Sequence, residues 1–390
     1  MTPCSLLQRC RGCRGEAWDT VLELEPMPLA GQFCRSEAEA RAADVLPLTW
    51  VQCRRCALVQ VLEDVPDEHL FQQYNYASSS VPGLVRHFDA YAAFLAARYS
   101  DRPVRLLEIG CNDGVLLRRL PPSWARVGVD PSDVARAAPQ DGYTLISAPF
   151  GAAAAEQVPA AGEYDAVTGS NCLAHIADLA DVFAGARRVL RDGGELWIEV
   201  HDLDATLSGA QWDTVYHEHK VEWSERSLDA CLGAAGFARV HLERLPLHGG
   251  LLRAGYRKLP PQRSGSGASP DRGEPFHLLR QAYAGRRSTA AYRAIAGALA
   301  AGKPVAAYGA SGRANVFLNQ LPELRFAYVV DDAPLRQGRW LPRVATPVVP
   351  SSHLGESPPD ACLITAWNYA RDIRAKHPEY RGTWLQAFEG

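Results

Sequence analysis

The stretch Arg105–Leu120, RLLEIGCNDGVLLRRL, passes from an apolar run to a turn of small and acidic residues and back to an apolar run. This pattern predicts a buried strand that ends near Gly110, a ligand-binding turn over 111–114 and a helix after the turn. Gly110 lets the backbone approach a bound molecule closely because it carries no Cβ. The segment does not have the G-x-G-x-x-G spacing of a dinucleotide-binding turn.

Acidic residues flank this turn and end the next predicted strand. Glu108 and Asp113 would repel a pyrophosphate but suit a cation such as the sulfonium and ammonium groups of S-adenosylmethionine. Asp130 ends the strand ARVGVD twenty residues after Gly110, where a carboxylate accepts both hydroxyls of a ribose. We therefore predict a site for S-adenosylmethionine. Its predicted residues are Glu108, Gly110, Asn112, Asp113, Gly114 and Asp130.

A further strand is predicted in the segment 164–176, YDAVTGSNCLAHI. It would bring Asn171 and His175 to the carboxyl edge of the sheet, where ligands of open α/β sheets bind. We include both residues in the predicted cofactor site. Each could instead contact the substrate, cap a helix or pack in the core.

Strands and helices alternate from Val104 to Lys258, which predicts a parallel sheet built from right-handed crossovers. Its last two strands, FARVHLERL and LLRAGYRK, are joined by a short loop that contains His248-Gly249-Gly250. Such an antiparallel closing pair predicts a Rossmann-like domain of the class I methyltransferase type over 80–258. A segment rich in Pro, Gly and Ser predicts a linker over 259–275. A helical stretch, Phe276–Ala301, then opens a smaller Rossmann-like α/β domain over 276–390.

Four of the ten cysteines form two C-x-x-C pairs separated by 39 residues. Two such pairs supply four thiolates for a tetrahedral Zn²⁺ site with no open coordination position. The predicted ligands are Cys10, Cys13, Cys53 and Cys56, with Cys4 and Cys34 as alternatives. We expect a structural zinc, because the predicted N-terminal domain, 1–79, is too small to fold on its own core.

The composition excludes several classes of protein. Apolar residues make up 47% and charged residues 22%, and no apolar run approaches the roughly 20 residues that span a bilayer. The net charge is −3 and the basic residues are scattered, which argues against nucleic-acid binding. The N-terminal segment lacks an export signal. We therefore expect a cytoplasmic protein with a small-molecule partner, either monomeric or dimeric.

Several motifs occur in order along nearly the whole chain. They are the paired C-x-x-C motifs, a Tyr-x-Tyr-x-Ser-Ser element at Tyr74–Ser79, EIGCNDG, YHEH at Tyr216–His219, LPLHGG, GASGRAN and AWNYARDI. In these motifs the chain resembles the sugar C-methyltransferases of deoxysugar biosynthesis. That family joins a zinc-binding domain, a methyltransferase domain and a C-terminal α/β domain.

The resemblance implies methylation of a carbon beside the keto group, at C-3, of a dTDP-linked 4-keto-6-deoxysugar in antibiotic or related biosynthesis. It implies that His219 is the general base, and imidazole does titrate near working pH. Tyr216 or Tyr76 could donate a hydrogen bond to the enolate oxygen, and Glu218 could orient the base or the sugar hydroxyls. A metal site on His217 and His219 is disfavoured because no third ligand follows at a suitable spacing.

The C-terminal motif GASGRAN places Arg313 at a strand-to-helix turn that suits an anionic group. The resemblance implies that this domain helps to hold the nucleotide-sugar. Asp331 and Asp332 could contact a ribose or cap a helix. Two other functions stay open: a methyltransferase for a hydroxyl or a non-sugar keto compound, and a non-catalytic zinc-ribbon scaffold.

Overall fold

The computed structural model describes residues 2–70, 77–100, 102–260 and 273–388. Tyr74, Tyr76 and most of the predicted linker lie outside these residues. The N-terminal region contains strands β1 (Ser5–Leu6), β2 (Trp18–Met27), β3 (Leu46–Cys53), β4 (Val59–Val61) and β5 (Glu63–Asp64), and helices α1 (Glu37–Arg41) and α2 (Asp67–Leu70). Strands β2, β3 and β4 form an antiparallel sheet, and β1 pairs with β5. Trp50 and Leu48 of β3 are buried in its core.

The central region is built on a larger sheet. Its elements are α3 (Pro82–Tyr99), β6 (Arg105–Ile109), β7 (Ala125–Val129), α4 (Asp133–Ala137), β8 (Thr144–Ile146), α5 (Ala152–Ala155), β9 (Tyr164–Ser170), α6 (Leu179–Val189), β10 (Leu190–His201), α7 (Leu203–Ser208), β11 (Val221–Glu222), α8 (Glu225–Ala234), β12 (Phe237–Leu245) and β13 (Leu251–Lys258). Seven strands lie in the order β12-β13-β10-β9-β6-β7-β8. β13 is antiparallel to both neighbours and the remaining pairs are parallel.

This order confirms the predicted class I methyltransferase fold, including its antiparallel closing pair. The strand order reverses between β6 and β9, so ligands are expected to bind at the carboxyl ends of those strands. Of the helices that cover the sheet, α3 carries an apolar stripe at helical spacing. On α3 the stripe consists of the buried residues Leu84, Phe88, Tyr91, Leu95 and Tyr99.

The prediction of a helix after the turn at 111–114 is wrong. The chain forms only a three-residue 3₁₀ helix, Leu117–Arg119. Leu120 then takes an extended conformation before Pro121 and Pro122. A residue that precedes proline avoids the α conformation, and proline lacks the N–H that a helix interior needs. The two prolines therefore end the helix after one turn.

Strand β11 belongs to the sheet of the N-terminal region, although it lies far along the chain. Val221 and Glu222 pair antiparallel with β4, which completes the four-stranded sheet β11-β4-β3-β2. The Val61 N–H also donates to the Lys220 carbonyl at 2.9 Å. The segment that follows the YHEH motif is therefore held by the N-terminal sheet. The predicted boundaries between the regions stay predictions.

The C-terminal region forms a second, smaller α/β unit, as predicted. It comprises α9 (Phe276–Ala284), α10 (Ala290–Ala300), β14 (Val305–Tyr308), α11 (Gly312–Asn319), β15 (Val329–Val330), β16 (Val348–Val349), α12 (His353–Glu356), β17 (Ala361–Ile364), α13 (Ala370–Lys376) and β18 (Thr383–Gln386). Its strands are parallel, in the order β16-β15-β14-β17-β18. The helical stretch predicted over 276–301 is divided into two helices. Gly285 follows the last residue of α9, and the hydroxyl of Thr289 caps the start of α10.

No helix in the part of the chain that the structure describes is both long enough and apolar enough to cross a membrane.

Candidate active site

The turn after β6 has the shape of a ligand cradle. Gly110, Asn112 and Gly114 all take positive φ angles, of 66°, 50° and 72°. A Cβ on Gly110 would lie 2.6 Å from the Cβ of Cys172. Only glycine fits that position, so the backbone of the turn can pass close to the adjacent segment of chain.

Asp130 connects this turn to the end of β7. Its two carboxylate oxygens accept the N–H groups of Asn112 and Ser132, both at 2.8 Å. Asn112 in turn accepts the Ser78 N–H through Oδ1 at 2.9 Å, and Asp113 accepts the Ser79 N–H through Oδ2 at 3.0 Å. The predicted acids Asp113 and Asp130 therefore lie at one site.

Three acids, Glu108, Asp113 and Asp130, meet at this turn. Glu108 Oε2 and Asp113 Oδ1 are buried and have no hydrogen-bond partner. Burial raises the pKa of Glu108 well above its ordinary value, and the charges of Asp130 and Asp113 raise it further. Unpaired carboxylate oxygens in a buried site favour a cationic ligand. The site therefore fits the sulfonium and ammonium groups of S-adenosylmethionine.

The two further predicted cofactor residues lie on one short segment after β9. Asn171 has a φ of 55°, donates its N–H to the Glu199 carbonyl at 2.9 Å, and keeps a buried Oδ1 without a partner. Four residues on, the His175 ring centroid lies 4.5 Å from that of His219. This segment thus contacts the cofactor turn through Cys172 and the YHEH motif through His175.

The YHEH motif forms a tight turn. The Tyr216 N–H donates to the His219 carbonyl at 3.3 Å. The two rings stack with centroids 4.6 Å apart and planes 10° from parallel. The turn therefore presents the tyrosine and the terminal histidine side by side.

The environment of His219 defines its protonation state. Its Nδ1 lies 3.2 Å from the Thr214 carbonyl oxygen; because a carbonyl can only accept, Nδ1 carries the hydrogen and Nε2 keeps a lone pair. Burial lowers the pKa of His219 well below its ordinary value, and His175 and His201 lower it further. His219 is thus a neutral imidazole that can accept a proton at Nε2.

The other residues of the motif face different neighbours. The Tyr216 ring packs against Gly312 at the start of α11, where a side chain would collide with its hydroxyl, and burial raises the pKa of that hydroxyl. Glu218 accepts the Gly31 N–H through Oε1 at 2.7 Å, whereas its buried Oε2 has no partner. The His217 Nε2 lies 2.8 Å from the Pro47 carbonyl, so this residue faces the N-terminal sheet.

Sequence reasoning missed three residues near His219. His201 lies with its ring centroid 5.8 Å from that of His219, and the His248 ring lies 6.1 Å from that of His201. Glu222 is 1% exposed and approaches His201. His201 could have been found, because it ends the strand ELWIEV at the same edge of the sheet as Asp130. Glu222 had no such signal, since β11 pairs with the N-terminal sheet.

The C-terminal turn does not present its arginine to solvent. Arg313 forms an ion pair with Asp213 at 2.7 Å and donates to the His248 carbonyl at 3.0 Å. Asp331 accepts the N–H groups of Ala310 and Ala333, and Asp332 pairs with Lys376. Arg313 therefore joins the C-terminal unit to the long connection after β10.

The four predicted zinc ligands form one cluster. Their sulfur atoms lie within 4.8 Å of one another, and they are the one such group found among the described residues. The two pairs have matching loops: the N–H groups of Arg14 and Ala57, both at positive φ, donate to the carbonyls of Cys10 and Cys53. Four thiols at this spacing fit a tetrahedral Zn²⁺. Cys4 and Cys34 are not part of the cluster.

Comparison with known proteins gives three domain matches in order along the chain. A zinc binding domain matches residues 10–71, a methyltransferase domain matches 83–242 and a C-methyltransferase C-terminal domain matches 280–387. The C-methyltransferase NovU of Streptomyces niveus is 29% identical over 392 aligned positions, which cover 96% of this chain and 93% of NovU. These matches confirm the resemblance predicted from the motifs and, with the cysteine cluster, the two predicted cofactors.

Solved structures resemble the chain at low similarity. The magnesium protoporphyrin IX methyltransferase of Synechocystis, with bound S-adenosylhomocysteine, has a TM-score of 0.37 and 16% identity, over 45% of this chain and 84% of its own. The 1,6-didemethyltoxoflavin-N1-methyltransferase of Burkholderia thailandensis has a TM-score of 0.35 and 20% identity, over 44% and 78%. The strand order of the chain itself is that of the class I methyltransferase fold.

Proposed function

We propose a substrate for this chain from the premise that it is an S-adenosylmethionine-dependent C-methyltransferase similar to NovU. The substrate is a dTDP-linked 4-keto-6-deoxysugar, methylated at C-3, the carbon beside the keto group. The observation that carries the proposal is His219, a half-buried neutral imidazole whose Nε2 keeps a lone pair because its Nδ1 donates to the Thr214 carbonyl. Methylation of such a carbon requires a base of this kind, whereas a hydroxyl acceptor loses its proton more easily.

The base lies close to the cofactor turn. The segment after β9 contacts Gly110 through Cys172 and His219 through His175, which are three residues apart. S-adenosylmethionine, when bound, supplies an electrophilic methyl group on its sulfonium. The chain must then hold the acceptor carbon in line with that group and remove its proton.

Three residues of the turn have a proposed role. His219 accepts the proton of the α-carbon at Nε2. The Tyr216 hydroxyl is held in its protonated form by burial and donates a hydrogen bond to the keto oxygen as negative charge develops there. The free Oε2 of Glu218 accepts a hydrogen bond from a sugar hydroxyl. Tyr76 lies outside the described residues and stays a predicted second donor.

The cofactor residues also have proposed roles. Glu108 and Asp113 offer their unpaired oxygens to the cationic groups, and Asp130 accepts the ribose hydroxyls. Asn171 offers its unpaired Oδ1 at the same edge. The C-terminal unit helps to hold the nucleotide-sugar. The contact between Gly312 of this unit and Tyr216 supports that role. A cytoplasmic location is part of the proposal.

The test of the base is whether solvent deuterium replaces the α-hydrogen of the dTDP-4-keto-sugar. NMR follows this exchange in the absence of S-adenosylmethionine. We expect His219→Asn to abolish exchange, because no base remains at that position. His217→Asn is the matched control, since His217 faces the Pro47 carbonyl; it should retain exchange. Full exchange in His219→Asn would contradict the proposal. A complete reaction should give a C-methyl product, and an O-methyl signal would identify a hydroxyl acceptor instead.

A further inference from the structure

A half-buried histidine and a buried glutamate lie near the proposed base. His201 is the last residue of β10, and its ring is nearly perpendicular to that of His219, with centroids 5.8 Å apart. The His201 Nδ1 lies 3.9 Å from Glu222 Oε1. The proposed methyl transfer uses neither residue.

Glu222 is incompletely paired. Its Oε1 accepts the Thr206 hydroxyl at 2.7 Å, while its Oε2 is buried without a partner. A buried acceptor without a partner costs free energy. Glu222 therefore keeps one carboxylate oxygen that is able to take a hydrogen, while its other oxygen, the one nearest His201, accepts the Thr206 hydroxyl.

The proposed reaction leaves a proton that must be removed. The C–H bond breaks and its proton joins His219 Nε2, while the electron pair forms the new carbon–carbon bond. The S–CH₃ bond breaks and leaves a neutral thioether, so one proton stays on the imidazole after each turnover. His219 is half-buried, and its Nδ1 hydrogen is held by the Thr214 carbonyl. The proton must leave before His219 can act again.

We propose that this proton leaves through His201 and is held by the Glu222 carboxylate. The proposal rests on the proposed function of His219. His201 receives the proton at Nε2 and gives one up from Nδ1, which faces Glu222. Glu222 becomes a carboxylic acid and later releases the proton to solvent, which restores both residues.

The charges around the pair suit these two roles. Burial lowers the pKa of His201 well below its ordinary value, so His201 passes the proton on rather than keeping it. Burial raises the pKa of Glu222 to about 7, so its carboxylate can both take and release a proton near neutral pH. The charged and titratable groups that act on the pair are Arg313, Asp202, Asp213, His248 and His175.

The test compares the first turnover with the steady state in the full-length, zinc-containing enzyme. The enzyme is mixed with the dTDP-4-keto-sugar and S-adenosylmethionine, and rapid quenching of the reaction gives the first-turnover and steady-state rates. In Glu222→Gln we expect the steady-state rate to fall roughly a hundredfold, at the low end of acid–base effects, and to fall much more than the first-turnover rate. The wild-type steady-state rate should decline as the pH falls through about 7, because protonated Glu222 cannot accept a proton.

A second variant tests the same carboxylate without removing it. Thr206→Val deletes the hydrogen bond that lowers the pKa of Glu222, so the decline should move to higher pH. Two results would overturn the proton route but not the proposed function. One is an equal fall of the first-turnover and steady-state rates in Glu222→Gln, and the other is a decline with pH in Thr206→Val that stays at the wild-type pH. No first turnover in the wild-type enzyme would contradict the proposed function, and this route with it.

Discussion

Glu108 shows how a single residue can be placed for a ligand at a cost to the fold. It is buried at the end of β6 with one oxygen unpaired and two other acids nearby. Because folding raises the pKa of Glu108, Glu108 ionises more readily in the unfolded chain than in the folded chain. The stability of the free protein therefore falls as the pH rises above the ordinary pKa of a glutamate. A bound cation would remove that penalty.

We therefore predict that binding of S-adenosylmethionine releases protons. The raised pKa of Glu108 favours its protonated form in the free protein, and a cation beside it favours the carboxylate. Titration calorimetry at neutral pH in two buffers of different ionisation enthalpy should give different observed binding enthalpies. Glu108→Gln should reduce that difference and weaken binding, while the exposed Glu16→Gln should leave it unchanged. Equal enthalpies in both buffers for the wild-type protein would count against the assignment.

The positions of some predicted site residues follow from the ends of strands. Gly110 and Asp130 lie on consecutive strands, so their spacing alone places them together at the edge of the sheet. Glu222 could not be found in this way, because its position depends on pairing between β11 and β4. Tyr76 was proposed from the resemblance and stays a prediction.

At the scale of elements, the turn before α11 is fixed by an ion pair with the central region. The Asp213 side chain is 1% exposed and that of Arg313 is 14% exposed. The Arg313 guanidinium also lies 5.1 Å from the Trp367 ring centroid. Such a pair contributes little net stability compared with apolar packing, but the loss of one partner leaves a buried charge.

We predict that Arg313→Met destabilises the protein by about 3–5 kcal/mol, the usual cost of one uncompensated buried charge. The double variant Arg313→Met with Asp213→Asn should lose less, because it removes both charges. Urea unfolding followed by circular dichroism and tryptophan fluorescence would measure the difference. A single variant as stable as the double variant would show that the ion pair does not hold these elements together.

The elements themselves were predictable where the apolar pattern was strong. The last two strands of the seven-stranded sheet have the predicted bounds. The pattern failed where one or two backbone-breaking residues decided the outcome, as at Pro121-Pro122 and at Gly285. Periodicity does not show whether such a residue ends a helix or is tolerated within it.

At the scale of the whole molecule, the zinc cluster and the proposed catalytic turn share one sheet. Cys53 ends β3 and Cys56 lies in the loop between β3 and β4. β4 in turn pairs with β11, which begins two residues after His219. Loss of the metal should therefore disturb the turn, as expected for a structural zinc.

We predict one zinc per chain and a coupled loss of metal and activity. Elemental analysis of protein purified without chelator should find the zinc, and Cys53→Ser should lower its content and the rate of methyl transfer together. Cys362→Ser is a suitable control, because Cys362 is buried in β17, outside the cluster. An unchanged zinc content in Cys53→Ser would reject the ligand assignment.

The pairing of β11 with β4 also sets a rule for building hybrid enzymes from related chains. If the N-terminal segment alone were exchanged, the native strand Val221–Glu222 would have to pair with a strand from another parent. The buried ammonium of Lys220, which pairs with Asp67, would also face a residue from that other parent. The unit of exchange is therefore discontinuous. A hybrid should keep its acceptor site in order only when residues 220–222 come from the same parent as the cysteine pairs.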